Sequence, residues 1–203
     1  MTTTTASPAS RFTGDLRADV LVAIVIAAAL IGGYVYQFSL RGQTTRVADP
    51  NSNFSLSIPG NWTAAEEIPL DTFVVAYDTR ADSIYKSTIA GQSFALDSDN
   101  PTQLDQIVDR LIQRHGEELL VYHLIEDQPT TVAGAEARAI QYAYVTQPID
   151  DPFMASPPVV VIATDYVIYT DTEYWLITLA ADEKIAEQAQ ADFDSIIQSI
   201  TLP

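Results

Sequence analysis

The sequence predicts an α+β fold, an antiparallel β-sheet covered by two or more α-helices, preceded by one transmembrane helix. Three observations predict it. Residues 20–40 form an uncharged apolar run. Most of the remaining chain falls into short β-rich segments, several with apolar and polar residues in alternation, joined by turn signals of the hairpin kind. Only two segments, beginning near residues 101 and 182, switch to helical spacing, so two helices must cover a sheet of many strands.

The chain opens with MTTTTASPAS, which lacks apolar periodicity, and residues 1–19 are expected to be a disordered tail. Residues 20–40 read VLVAIVIAAALIGGYVYQFSL, long enough to span about 31 Å as a helix and so to cross a hydrocarbon core. A buried core helix of this length would carry a polar stripe. Tyr34 and Tyr36 fall near the end where amphipathic rings favour the headgroup level, and Arg17 and Arg41 bracket the run. The A-x-A pattern of a cleavable signal, Ala27 to Ala29, lies inside the apolar run, which continues to Tyr36. An uncleaved signal anchor is therefore expected. Two arginines on each flank balance the positive-inside bias, and the tendency of a short N-terminal tail to stay cytoplasmic places the acidic domain outside a cell membrane crossed once.

Residues 41–52, RGQTTRVADPNS, read as a linker, and the folded domain is expected over 53–203. Phe54-Ser55-Leu56-Ser57-Ile58 alternates strictly and is closed by Pro59-Gly60, with Trp62 following to cover one end of the core. Residues 72–77 and 87–96 read as two further strands. Asn100-Pro101 then offers a cap and first helical position for Leu104, Ile107, Val108, Leu111 and Ile112, with Gly116 as the expected end. Residues 119–125 read as a strand, Val132-Ala133-Gly134 as a turn, and 137–146 as a strand with Ile140, Tyr142 and Tyr144 on one face. Residues 159–169 and 174–181 form a hairpin pair, and Asp182 caps a last helix whose shared face is Ile185, Ala189, Phe193, Ile196, Ile197 and Ile200.

Charge narrows the function classes. Over 203 residues, 10 Lys and Arg stand against 27 Asp and Glu, a formal net charge of −17; residues 47–203 alone carry 6 against 25, or −19. Such a domain repels phosphate backbones, so no nucleic-acid partner is expected. The absence of cysteine removes disulfides, thiolate catalysis and cysteine-ligated metals. The eight glycines contain no glycine-rich phosphate loop, and no cofactor is expected.

The opening Phe54-Ser55-Leu56-Ser57-Ile58-Pro59-Gly60-Asn61-Trp62, the strand entry Val132-Ala133-Gly134-Ala135-Glu136-Ala137-Arg138, and the closing segment from Tyr174-Trp175 through Phe193 to Ile200 together resemble the PsbP family. These are the extrinsic photosystem proteins and their non-photosynthetic bacterial relatives. The resemblance covers about residues 53 to 203. It implies an α/β/α sandwich, export, and a docking or assembly role in preference to catalysis. The matched positions are core and turn positions, so no functional residue transfers. An anchor departs from the freely soluble photosystem members, whose partner is not carried across.

Chemistry-bearing patterns are sparse. His115 and His123 are the only histidines and lack metal spacing, which favours structural or surface roles. Gly91-Gln92-Ser93-Phe94-Ala95 resembles a serine elbow, yet it alternates like an uninterrupted strand. Asp97-Ser98-Asp99-Asn100 begins like a calcium loop, but Thr102 and Val108 stand where glycine and glutamate are needed. That leaves Asp97 and Asp99, or Asp150 and Asp151, as weak candidates for an irregular cation site. The segment 147–158 holds four prolines with Ile149, Phe153 and Met154, and offers either a protein-interaction anchor or side chains folded onto the core. The expected function is thus non-enzymatic: a single-pass membrane protein whose outward domain docks onto, stabilises or helps assemble a larger membrane complex. The alternative is a periplasmic-type small-ligand or cation-binding domain, or a divergent hydrolase.

Overall fold

The structure, a computed structural model, describes residues 22–33, 43–97, 99, 101–148, 150–151 and 154–203. Residues 22–33 form a helix, α1, with every residue exposed. Among the described residues no helix is long and apolar enough to cross a membrane; residues 20, 21 and 34–40 of the expected span lie outside them.

The second compact unit runs from Gln43 to Pro203. Its centre is a seven-stranded sheet of β3 (Thr63–Ala64), β4 (Thr72–Tyr77), β5 (Thr88–Ala95), β11 (Glu173–Asp182), β10 (Val159–Tyr169), β7 (Ala135–Thr146) and β6 (Leu120–Val132), in that spatial order. Every pairing is antiparallel. Along β10 and β11 the two faces alternate, and each face is buried beneath a different layer. On one side lie α3 (Ala186–Gln198) and a hairpin of β1 (Thr44–Ala48) with β2 (Ser55–Pro59), around Phe54, Leu56, Trp175, Ile177, Phe193 and Ile196. On the other lies α2 (Leu104–Glu118), packed through Leu104, Ile107, Val108 and Leu111 on Ile140, Val161 and Val167. Helix, sheet and helix layers are the α+β arrangement that the periodicity predicts.

Three local expectations change. The expected linker contains β1, because the alternating β2 has an open edge that Thr44–Ala48 fills from Thr44 opposite Pro59 to Ala48 opposite Ser55. Buried Asp49 then holds the connecting turn, accepting from the Asn51 amide and the Ser52 hydroxyl. Helix α2 begins at Leu104 with Gln103 at its cap position, leaving Pro101 outside, and it runs past Gly116 to Glu118. The strand expected at 119–125 continues to Val132 and turns through Ala133 and Gly134, both at positive φ (49° and 87°). Two positive φ values in a two-residue connection match the right-handed twist of the flanking strands. Asp182 does cap as expected, accepting from the Lys184 amide to start a 3-10 turn over Glu183–Ile185 that leads into α3.

The segment 87–96 is a strand throughout its core, and Gly91 has a packing reason. A Cβ there would lie 2.6 Å from Phe73 and 2.7 Å from Val74, which approach across a register shift in β4. Ser93 pairs opposite Trp175 in mid-sheet, and its amide donates to the Asp71 carbonyl. The serine-elbow geometry is absent, and His123 lies four strands away.

Candidate functional site

Strand β6 is one edge of the large sheet, and its two halves differ. From Glu126 onward the edge is defended. Arg138 on β7 holds Asp127 and reaches Asp105 on α2 at 2.7 Å, while Pro129 withdraws a backbone donor. Charges and proline are the devices by which natural edges resist pairing with another chain. From Leu120 to Ile125 charge and proline are missing, and irregular pairing is the protection that remains. Leu120 is 67 % exposed, Val121 68 %, Leu124 36 % and Ile125 47 %. Leu120 lies opposite Val145, which lies opposite the exposed Val160, so an apolar row continues across three strands. Exposed Glu117, Glu118 and Glu126 flank this stretch.

The same half-strand is irregular. Its register shifts between Leu120 and His123 and again between Leu124 and Glu126, and Val121 has φ of 55°. A β-branched residue in the left-handed region costs about 1–3 kcal/mol and persists only where its surroundings hold it. The bulge leaves Leu120 and Val121 in solvent and turns Tyr122 inward, where its ring lies 6.0 Å from His115 and 5.5 Å from Tyr142.

Beneath Tyr122 is a polar cluster that ties α2 to the sheet. Asp165, at 0 % exposure on β10, accepts from Nε2 of His115 at 2.7 Å and from the Thr178 hydroxyl at 2.7 Å, with the Tyr142 hydroxyl at 3.3 Å. The His115 ring also lies 4.7 Å from that of Tyr142. Burial, reinforced by Asp165, holds the Tyr142 hydroxyl well above the ordinary tyrosine range, so it remains a neutral donor. Burial does the same for Tyr144, which shares a 3.1 Å hydrogen bond with Tyr85. A buried carboxylate surrounded by donors is satisfied structurally, and its hydrogen-bond partners among the described residues are His115, Tyr142 and Thr178. The cluster ties the end of α2 to the sheet, and Tyr122 of β6 meets it through ring contacts with His115 and Tyr142, its buried hydroxyl having no hydrogen-bond partner among the described residues.

Ile149 and Phe153 lie outside the described residues, and of Met154, Asp150 and Asp151 only the backbone is described. Asp150–Asp151 (β8) pairs antiparallel with Met154–Ala155 (β9) inside the proline-rich connection. Asp97 accepts from the Asp99 amide at 2.9 Å in a local turn. Among the described residues no three acidic or histidine side chains gather as metal ligands. Sequence reasoning missed Asp165, fifty residues from His115. One signal was present: in Val159–Tyr169 the positions Val161, Ala163, Asp165 and Val167 share a face, so a lone carboxylate stands in an apolar stripe.

No protein-family model matches the chain, and no curated protein sequence does. Solved structures do match by shape. The solution structure of cyanobacterial PsbP (CyanoP) from Synechocystis sp. PCC 6803 superposes with a TM-score of 0.55 at 12 % identity, over 79 % of this chain and 92 % of that one. The domain has a PsbP-like fold. LpqN of Mycobacterium tuberculosis, a protein involved in cell envelope biogenesis, is similar to this PsbP-like domain with a TM-score of 0.51 at 15 % identity, over 79 % and 91 % of the two chains. A point mutant of the protein Mog1 reaches 0.50 at 13 % identity, over 79 % and 96 %. At these identities the likeness speaks for the fold.

Proposed function

We propose that this chain is a membrane-tethered docking protein, anchored by the apolar segment 20–40, whose PsbP-like domain lies outside the membrane and binds a larger membrane complex through the first half of β6. The observation that supports it is the exposed apolar edge from Leu120 to Ile125, beside the His115–Asp165 cluster, whereas the exposed Ile68, Leu70 and Ile84 lie in turns and loops outside the strands. An open strand edge binds by adding a strand: main-chain hydrogen bonds supply affinity and side chains select the partner. The occupant is an extended segment of a partner protein with apolar side chains and flanking Lys or Arg. That charge complements Glu117, Glu118 and Glu126 and the −17 of the whole chain.

Leu120→Lys with Ile125→Lys tests this reading. Both positions are exposed, so melting of the full chain should shift by less than about 0.5 kcal/mol equivalent. Co-purification in mild detergent should recover a stoichiometric set of other subunits with the wild type and lose at least about tenfold of it with the variant. A wild-type chain that purifies as a single monodisperse species, or a variant that keeps its partners, would contradict the reading.

A further inference from the structure

A cavity of about 460 Å³ opens between α2 and the sheet, away from the β6 edge. The apolar part of its wall is formed by Ile107 and Leu111 of α2 and by Val167 and Leu176 of the sheet, and Thr102 adds a hydroxyl. Phe94 and Tyr174 stack at 4.8 Å, with 17° between their planes, along one side. Arg110 and Arg114, one helical turn apart on α2, also line it. Their state differs from that of the other described arginines. Arg46 donates to Ser55, Arg80 pairs with Asp78, and Arg138 holds two carboxylates. Among the described residues, neither Arg110 nor Arg114 has a carboxylate within ion-pair distance or a hydrogen-bond acceptor, although 27 acidic residues are available in the sequence. The lining carboxylate, Asp97, is engaged with the Asp99 amide.

We infer that this cavity is a binding site for a small amphipathic anion, with its apolar body against the Phe94–Tyr174 pair and its carboxylate or phosphate on Arg110 and Arg114. The volume falls in the range of small-molecule sites, which combine apolar walls with a few convergent polar groups. Two guanidinium groups one turn apart suit bidentate contact with either head group. In a chain of net charge −17, an anion without dedicated cations would be repelled, and these two supply them locally.

The test uses the full chain in nanodiscs of zwitterionic lipid, with empty nanodiscs as the blank. Calorimetric titration compares 4-phenylbutyrate, 4-phenylbutyl phosphate and neutral 4-phenylbutanol. Both anions should bind, at least about tenfold tighter than the alcohol, as expected for a charge-assisted contact. Whichever anion binds tighter identifies the head group. Arg110→Gln with Arg114→Gln, both at exposed helix positions, should weaken the anions by at least about tenfold and leave the alcohol unchanged. Lys184→Gln, outside the cavity lining, should change nothing. Equal binding of anions and alcohol, anion binding insensitive to the double replacement, or no binding at millimolar ligand would each overturn the inference.

Discussion

Phe54→Ala should destabilise the folded domain by about 3–5 kcal/mol. Phe54 is fully buried, its ring stacked on Trp175 at 4.9 Å and edge-on to Phe73 at 5.4 Å. It therefore joins the β1–β2 hairpin to the large sheet. Its removal loses the burial of a large ring, two aromatic contacts of about 0.5–1.5 kcal/mol each, and leaves a cavity. The cavity cannot readily collapse. Ser57 donates its amide to Ser199 at 2.8 Å, and Ser55 exchanges backbone hydrogen bonds with Thr201, so β2 is fixed on both sides of the gap. Denaturant unfolding of the full chain, followed by the fluorescence of Trp62 and Trp175, measures the loss. Phe54→Leu should lose less because it refills part of the space. A loss below about 1 kcal/mol for the alanine variant would show that the two layers are not joined through this ring.

His115→Leu should cost about 1–3 kcal/mol, the penalty for leaving a buried acceptor without one of its donors. The leucine fits among Tyr122, Tyr142 and the end of α2, but Asp165 loses its 2.7 Å donor while remaining shut away from water. The discriminating variant adds Asp165→Asn to His115→Leu. Asparagine keeps an oxygen for Thr178 and Tyr142 and removes the group that most needs compensation, so the double variant should be more stable than His115→Leu alone. Additive losses would mean that the pair is not coupled. Because Tyr122 of β6 meets the cluster through ring contacts, His115→Leu should also weaken partner binding, and Asp165→Asn should restore part of it.

What the sequence makes legible follows burial. Strands such as 159–169 and 174–181 alternate because each of their faces meets a different layer, and the apolar stripes of α2 and α3 name the residues that pack. Strand β1 is hidden because TTRVA offers a single large apolar residue and forms only where β2 gives it an edge. The end of α2 is hidden for a similar reason. Gly116 is a stop signal, yet the backbone stays helical for two more residues, with the nearest neighbour to a Cβ there 3.9 Å away. The candidate interface is partly legible. LVYHLI reads as a strand, but apolar residues on both faces describe a buried strand as well as an open edge. Only the spatial order of the strands separates the two. The Arg110–Arg114 pair reads in sequence as a solvated helix face, and the cavity beside it depends on Phe94 and Tyr174, brought together from β5 and β11.

Docking through β6 is tested most directly by a photo-crosslinking residue placed at position 124 of the full chain in intact cells, with the same residue at exposed position 190 on α3 as the control. Position 124 should give one discrete heavier adduct, lost when Ile125→Lys is added, and position 190 should give none. No adduct at position 124, or an equal one at position 190, would contradict docking through this edge.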